Sequence, residues 1–199
     1  MPPPDLFVIA GPNGIGKTTS SFDIIPAQVP IINSDEIANA VRNSGMVSVN
    51  TQEFSNREAT RLMNEYLDQK KSFAIETNLA DVDTWKFLLE TQKQGFTLNI
   101  IYLSTDSLDL LNDRIDARVL AGEHYIRPDI VEERYLNGLK LLNHYFEKPD
   151  SLQLFDNSGT LFLIAEVKQG KVLVLNAPIP EWVEKYLSDK ISPKNEEKI

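Results

Sequence analysis

The segment that most constrains this chain is a glycine-rich stretch near its beginning, GPNGIGKT at residues 11–18. The apolar run LFVIA precedes it at residues 6–10, and a segment of helical character follows it. The pattern G-x-x-x-x-G-K-[ST] between a strand and a helix is typical of a loop that binds nucleotide phosphates. Glycines let the backbone approach phosphate oxygens, and N–H groups at the start of a helix bind the anion. The alternative is an ordinary glycine-rich turn, which requires neither the lysine nor the hydroxyl.

The loop predicts a nucleotide site and assigns roles to individual residues. Lys17 is expected to reach the β and γ phosphates of ATP, and Thr18 is the predicted Mg²⁺ ligand. The residues predicted to bind the nucleotide in this segment are Gly11, Pro12, Asn13, Gly14, Ile15, Gly16, Lys17, Thr18 and Thr19.

Composition narrows the classes of protein that this chain can belong to. The 199 residues include no cysteine, which excludes disulfides, thiolate metal sites and cysteine nucleophiles. No apolar stretch reaches the roughly 18 residues of a membrane span, so a cytoplasmic protein is expected. A net charge of −9 argues against general nucleic-acid binding, which needs a basic surface.

Strands and helices alternate over the first 156 residues, which predicts an α/β fold with a parallel five-stranded sheet flanked by helices. A single domain is expected over residues 1–187. The predicted strands lie at residues 6–10, 30–33, 72–77, 97–103 and 152–156. A β-hairpin at about 160–176 either extends this sheet or caps it. The last helix is predicted at 181–187, followed by a disordered tail at 188–199.

Polar residues follow several of these strands, at the sheet edge where α/β proteins bind ligands. Asp35 is a candidate base for a substrate hydroxyl or a Mg²⁺ ligand through water, and its alternative role is a helix N-cap shared with Ser34. Glu76 ends an apolar strand and is a candidate for magnesium support or substrate binding; otherwise it belongs to the polar layer at the strand ends. Asn157 falls at the same edge and is assigned to the nucleotide site.

A group of arginines surrounds a predicted loop that resembles the lid of small nucleoside-monophosphate-type kinases, at about 118–134. In that arrangement the first arginine packs on adenine and the others contact the transferred phosphoryl group. Arg114 is therefore assigned to the nucleotide, and the other predicted lid arginines are Arg118, Arg127 and Arg134. His124, in the loop, is a candidate for substrate contact. The alternative is that the arginines form surface ion pairs with Asp113, Asp116, Glu132 and Glu133.

Several sequence strings occur in an order that resembles the zeta-toxin family of P-loop kinases, in its compact chromosomal branch. The strings are AGPNGIGKT at 10–18, INSD at 32–35, FAIET at 73–77, GEHYIRP at 122–128, ERY at 133–135 and DNSG at 156–159. The resemblance covers roughly residues 5–168. It implies transfer of a phosphoryl group from ATP, with Mg²⁺, to a hydroxyl group. The best-known members phosphorylate a UDP-amino-sugar and are inhibited by a small antitoxin protein.

The resemblance also implies roles for single residues. Asp35 matches the catalytic base of the family, Glu76 and Thr77 match a substrate-side position, and the lid arginines act on the phosphoryl group. Lys17 and Thr18 take the phosphate and magnesium roles.

The sequence therefore favours an ATP-dependent kinase acting on a small-molecule hydroxyl. Two other hypotheses remain open. One is an ATP-binding or ATP-hydrolysing switch that acts through a protein partner, and the other is a polynucleotide 5′-hydroxyl kinase, which the acidic charge disfavours.

Overall fold

The computed structural model describes residues 2–44, 50–120 and 125–191. Its strands form one sheet and its helices pack around it. The strands are β1 (Asp5–Ala10), β2 (Ile31–Ile32), β3 (Phe73–Thr77), β4 (Thr97–Ser104), β5 (Ser151–Asp156), β6 (Phe162–Lys168) and β7 (Lys171–Leu175). The helices are α1 (Lys17–Ile24), α2 (Ser34–Asn43), α3 (Thr51–Asp68), α4 (Val82–Lys93), α5 (Leu108–Leu120), α6 (Pro128–Tyr145) and α7 (Glu181–Ile191).

The sheet has a parallel core in the order β2-β3-β1-β4-β5, which confirms the predicted α/β fold. Strand β1 lies in its middle, parallel to β3 on one side and β4 on the other. Its apolar side chains from Leu6 to Ala10 are almost all buried, as expected of a strand covered on both faces. The register places Ala10 opposite Thr77 and Tyr102, so the carboxyl ends of these strands meet at one edge.

Strands β6 and β7 extend the sheet rather than cap it. Strand β6 pairs antiparallel with β5, and β7 pairs antiparallel with β6. Both pairings contain a register shift, one at Leu154/Phe155 and one at Glu166/Val167. The hairpin predicted from the sequence is therefore present, and the sheet ends in an antiparallel edge.

Helix α2 begins at a side-chain cap that differs from the predicted one. Helix α2 is capped by Asn33, whose Oδ1 accepts from the backbone N–H groups of Asp35 and Glu36. The prediction that Ser34 or Asp35 caps this helix is wrong, because Asn33 already satisfies the free N–H groups. Asp35 is left with its carboxylate exposed in the first turn.

Helix α7 is longer than predicted and packs on the core. It continues to Ile191, so residues 188–191 belong to a helix and not to a disordered tail; residues 192–199 lie outside the described part of the chain. The reason is burial, since Trp182, Leu187 and Ile191 all face the core. Asp106 holds the start of this helix by accepting from the N–H groups of Glu181 and Trp182.

None of the helices in the described residues combines the length and apolar character that a membrane crossing requires.

Candidate active site

The glycine-rich loop connects β1 to α1 and is packed tightly against its neighbours. A Cβ on Gly11 would lie 2.1 Å from the Leu103 carbonyl oxygen, and one on Gly14 would lie 2.4 Å from the Leu111 carbonyl oxygen. Both glycines also have positive φ angles, 138° and 79°. These positions require glycine, because a side chain would clash with backbone and strain the conformation.

Helix α1 begins without a side-chain cap. Gly16 occupies the N-cap position in a left-handed conformation, and no side chain accepts from the first N–H groups of the helix. An uncapped helix start beside a glycine-rich loop is a ready site for a phosphate group, because the free N–H groups and the helix dipole both favour an anion.

Lys17 lies at this helix start, with its ammonium held under the loop. Its Nζ donates to the carbonyl oxygens of Gly11 at 2.8 Å and Pro12 at 3.0 Å, and to Asn78 Oδ1 at 3.3 Å. Burial lowers the pKa of Lys17 from 10.5 to about 8, although the negative charge of Glu76 partly opposes this shift. The positive charge of the ammonium is therefore only partly balanced by nearby negative charge. The approach of a phosphate would stabilise it.

The charges around Lys17 show which of the predicted residues the fold brings together. After burial and Glu76, the charges acting on the pKa of Lys17 are those of Arg118, Asp35 and Arg134, in that order. The two arginines lower this pKa and the aspartate raises it. Charged side chains on α2, α5 and α6 thus all act on the Lys17 ammonium in the loop.

Glu76, at the end of β3, holds the hydroxyl predicted to bind magnesium. Its Oε2 accepts from Thr18 Oγ1 at 3.0 Å and from Asn33 Nδ2 at 2.9 Å. Its Oε1 is buried and has no hydrogen-bond partner among the described residues. Burial raises the pKa of the Glu76 carboxyl, and the Lys17 charge and the Thr18 hydroxyl counteract part of this rise.

These oxygens suit a magnesium ion. In the described ranges, no three His, Cys, Asp or Glu side chains are grouped as a metal cage. A nucleotide-bound Mg²⁺ does not need one, because it keeps several waters and takes only one or two protein oxygens besides the phosphates. The Thr18 hydroxyl and the unpartnered carboxylate oxygen of Glu76 are hard donors of the type that Mg²⁺ prefers, so the residues fit this ion.

Thr77 follows Glu76 and shapes the chain that leaves β3. Its Oγ1 accepts from the backbone N–H of Leu79 at 3.0 Å, and Leu79 itself has a positive φ of 53°. This turn leaves the proton of the Thr77 hydroxyl available to donate to a ligand.

The arginines predicted around the lid do not all behave alike. Arg134, on α6, donates from Nη1 to Asn13 Oδ1 in the loop at 2.9 Å. Arg127 instead pairs with Asp129, two residues away, through exposed bonds of 3.1 and 2.7 Å. In this structure the surface ion-pair alternative therefore describes Arg127, although its partner was not among those predicted. Arg118 is exposed on α5.

Arg114 and Asn157 lie beside the phosphate loop and contact each other. Arg114 donates from Nη1 to the Asn157 carbonyl oxygen at 2.9 Å and from Nη2 to that of Ser158 at 3.4 Å. The Asn157 side chain donates to the Ile15 carbonyl oxygen at 2.7 Å. Both residues thus lie next to the loop, and their assignment to the nucleotide site stays a prediction.

The sequence analysis missed two asparagines that contact the site. It also named one histidine whose position the structure does not describe. Asn33 orients Glu76, and Asn78 contacts Lys17. Their signal was available, since each is a polar residue directly at the end of a predicted strand. His124 lies outside the described residues.

The parallel sheet, the loop after its first strand and the converging lysine and acids define a protein with a P-loop kinase-like fold. The sequence profile of the Zeta toxin family matches residues 2–169, and the chain belongs to this family. This confirms the resemblance seen in the sequence.

Individual proteins and solved structures are also similar to this chain. A protein of Haemophilus influenzae described as uncharacterized is 30% identical over 128 residues, which are 63% of this chain and 88% of that protein. The AvrRxo1-ORF1:-ORF2 structure with ATP has a TM-score of 0.74 at 18% identity, covering 96% of this chain. This chain spans only 66% of that one. The PezAT chromosomal toxin–antitoxin system of Streptococcus pneumoniae has a TM-score of 0.56 at 13% identity, covering 79% of this chain and 70% of that chain. At 18% and 13% identity, the likeness to these two solved structures establishes the fold alone.

Proposed function

We propose that this protein is an ATP-dependent kinase that transfers the γ-phosphoryl group to a hydroxyl group of a small molecule. The observation that carries the proposal is the convergence of opposite charges on one phosphate loop. Lys17 lies in that loop, Arg134 contacts it from α6, and the charge of Asp35 reaches Lys17 from α2. Phosphoryl transfer needs this combination of positive charge for the phosphates and a base for the acceptor.

The donor half of the site is the loop and the start of α1. The triphosphate of ATP is bound by the N–H groups of the loop and the uncapped start of α1. Lys17 exchanges its contacts with Gly11 and Pro12 for the β- and γ-phosphate oxygens. Arg114 has its guanidinium edge anchored on backbone carbonyls, which leaves its planar face to pack on adenine.

Thr18 would hold the magnesium ion, and Glu76, which Asn33 orients, would support it. When bound, Mg²⁺ neutralises charge on the β- and γ-phosphate oxygens.

The acceptor half lies beside the ends of β2 and β3. The acceptor hydroxyl is placed between Asp35 and the γ-phosphate, with Glu76 and Thr77 as further contacts. Its oxygen forms a bond to the γ-phosphorus while the bond from that phosphorus to the β–γ bridging oxygen breaks. ADP leaves with the electron pair of the broken bond, and the hydroxyl proton passes to the Asp35 carboxylate.

The lid arginines neutralise the charge that spreads over the transferred group. Arg134 already contacts the loop, and Arg118 acts on the same region through its charge. Arg127 can join them only by leaving its exposed pair with Asp129. Exposed pairs of this kind contribute about 0–1 kcal/mol to stability, so breaking this one on lid closure costs little free energy.

The first acceptor to test is a UDP-amino-sugar, which membership of the Zeta toxin family supports. The neighbouring structures also support a protein partner of the antitoxin type, since one contains AvrRxo1-ORF1 with ORF2 and another describes PezAT as a toxin–antitoxin system. The same observation favours a second candidate function, an ATP-binding switch whose output is the binding of such a partner.

ATP turnover measured with and without a panel of UDP-sugars and nucleosides separates these functions. A kinase forms phosphorylated acceptor, whereas a switch hydrolyses ATP slowly whatever acceptor is added. In the kinase, Asp35→Ala keeps ATP binding and lowers transfer by about 10²–10⁴-fold, the contribution of a general base. The control Glu90→Ala removes an exposed carboxylate of α4 that pairs with Lys93, and its transfer rate should match that of the unmodified protein. Unchanged transfer in Asp35→Ala would exclude Asp35 as the base.

A further inference from the structure

Asn157 connects three parts of the molecule at the back of the phosphate loop. Its side-chain Nδ2 donates to the Ile15 carbonyl oxygen at 2.7 Å, and its backbone N–H donates to the Ser104 carbonyl oxygen at 2.9 Å. Its own carbonyl oxygen accepts from Arg114 Nη1 at 2.9 Å. The loop, the end of β4 and helix α5 therefore meet at this one residue.

The bond to Ile15 fixes the orientation of one peptide group of the loop. A peptide unit is planar and trans, so its C=O and its N–H point in opposite directions. Holding the Ile15 carbonyl on the Asn157 side therefore directs the Gly16 N–H to the opposite side, away from Asn157. Gly16 is the N-cap of α1, at the point where the loop presents its N–H groups to a phosphate.

This peptide group needs an anchor because glycines lie close to it on both sides. Gly14 and Gly16 both have positive φ angles, and glycine crosses between conformations more easily than other residues. A rotation of the peptide group would turn the negative end of the Ile15 carbonyl toward the bound phosphate in place of the Gly16 N–H. Asn157 also lies close to Gly16 itself, since a Cβ on Gly16 would be 3.0 Å from Asn157 Nδ2.

The anchor is itself held from two sides. Asp156 accepts from the Ser158 N–H at 3.0 Å and from the Ser158 hydroxyl at 3.2 Å, which fixes the turn that carries Asn157. Arg114 fixes its carbonyl from α5, the helix whose Leu111 carbonyl also packs directly against Gly14.

We infer that Asn157 is a positioning residue for the triphosphate, acting through the Ile15–Gly16 peptide, with Arg114 holding Asn157 in place. The inference rests on the proposed function insofar as the anion is the triphosphate of ATP. It concerns binding only, so it can be tested without any acceptor molecule. It also gives Asn157 a role different from direct contact with the adenine base.

The test is the affinity of the intact protein for two probes, ATP and inorganic tripolyphosphate, the second of which has the phosphates without the base. Asn157→Asp keeps the shape of the side chain but replaces the donor with an oxygen that repels the Ile15 carbonyl. We expect the affinity for both probes to fall by the same factor, about tenfold or more. This is the effect of losing one hydrogen bond and gaining a repulsive contact in its place. Weakening of ATP binding alone would assign Asn157 to the base and overturn the inference, as would unchanged binding of both probes.

A matched control is available in Asn176, whose Nδ2 donates to the Leu163 carbonyl oxygen at 3.0 Å in the hairpin region. Asn176→Asp makes the same chemical change to the same type of contact away from the loop. It should leave both affinities within about twofold of the unmodified protein. An equal loss in both variants would show a general effect on folding and overturn the inference.

A second measurement needs no variant. The ¹H–¹⁵N signal of Gly16 in the unmodified protein should shift strongly when tripolyphosphate is added, because its N–H is the group directed at the anion. Tripolyphosphate that shifts other loop amides and leaves the Gly16 signal in place would overturn the inference. Failure of the proposed function is separate: a protein that binds ATP and shows these effects but phosphorylates no acceptor is not a kinase, and the role of Asn157 in binding still holds.

Discussion

Arg134 and Asn13 are joined by a hydrogen bond in which the guanidinium Nη1 donates to the side-chain Oδ1 over 2.9 Å. The two residues are 121 positions apart in the sequence. This contact brings helix α6, which follows the predicted lid loop, directly onto the phosphate loop. A guanidinium in this place can exchange Asn13 for a phosphate oxygen without a large movement of the helix.

Replacing Arg134 should therefore damage transfer much more than binding. In Arg134→Gln the side chain can still bond to Asn13, but the positive charge is lost. We expect kcat to fall by about 10³-fold or more, as for other arginines that neutralise a transferred phosphoryl group, while the KM for ATP changes little. Steady-state kinetics with a saturating acceptor measures both values. Arg61→Gln is the control, because Arg61 forms exposed pairs with Glu58 and Glu65 on α3. Equal losses of kcat in the two variants would contradict the assignment of Arg134.

Gly138 determines how closely α6 approaches the sheet, one turn after Arg134. A Cβ at this position would lie 2.7 Å from the hydroxyl of Tyr102, a fully buried side chain, so one of the two must shift. Gly138→Ala should lower the free energy of unfolding by about 1–3 kcal/mol, the usual effect of overpacking, despite the better helix propensity of alanine. It should also lower kcat, because the displaced helix carries Arg134 away from the loop. Gly159→Ala, where a Cβ would meet nothing within 4 Å, is the control for denaturant unfolding. A Gly138→Ala protein as stable as this control would show that α6 adapts without strain.

The sequence predicted the parts of the site that depend on short segments. The loop from Gly11 to Thr18 is recognisable because its spacing is local, and alternating strands and helices place Asp35 and Glu76 at the same sheet edge. The pair of Arg127 with Asp129 is also local, and it could have been anticipated from their spacing of two residues.

Contacts between distant segments could not be predicted in this way. Asn78 meets Lys17 across 61 positions and Asn157 meets Ile15 across 142, because the register of parallel strands decides which loops are neighbours. The sequence does not single out the cap of α2, because Asn33, Ser34 and Asp35 are all good capping residues and backbone geometry chooses among them. The sequence predicts too short a helix α7, because the charged Asp189 and Lys190 interrupt the apolar spacing that continues to Ile191.

Glu76 should determine the magnesium requirement of the reaction. Glu76→Gln retains an oxygen that can accept from Thr18, but it removes the negative charge. We expect the Mg²⁺ concentration for half-maximal activity to rise by about 10–100-fold, the range observed for residues that support a metal ligand. The measurement is a Mg²⁺ titration of transfer activity at fixed ATP. Glu166→Gln, which changes a carboxylate that accepts from Gln153 on the sheet, should leave the titration unchanged. The assignment fails if Glu76→Gln has the Mg²⁺ dependence of this control.

Lys17 should make both stability and ATP binding depend on pH, with a defined sign. Its pKa in the folded protein is about 8, below the ordinary value of 10.5, so the unfolded chain binds more protons between these two pH values. The free energy of unfolding of the ligand-free protein should therefore rise with pH across this window, and the rise should be absent from Lys17→Met. Denaturant unfolding of the two proteins at several pH values gives the difference, which isolates Lys17 from other titrating groups. A rise in Lys17→Met that equals or exceeds that of the unmodified protein would contradict the lowered pKa.

The Lys17 ammonium should also couple ATP binding to proton uptake. Phosphate oxygens favour the charged form of Lys17, so binding must return the proton that burial has removed from part of the population. Above a pH of about 8 each ATP bound should take up an increasing fraction of a proton, and the apparent affinity should fall as the pH rises. Titration calorimetry in two buffers of different ionisation enthalpy measures this uptake directly, at about pH 7 and about pH 9, on either side of the folded pKa. Glu76→Gln removes the largest charge that keeps Lys17 protonated, so in that variant the uptake should begin at a lower pH. Proton uptake that is the same at both pH values would place the pKa of Lys17 outside this range and contradict the coupling.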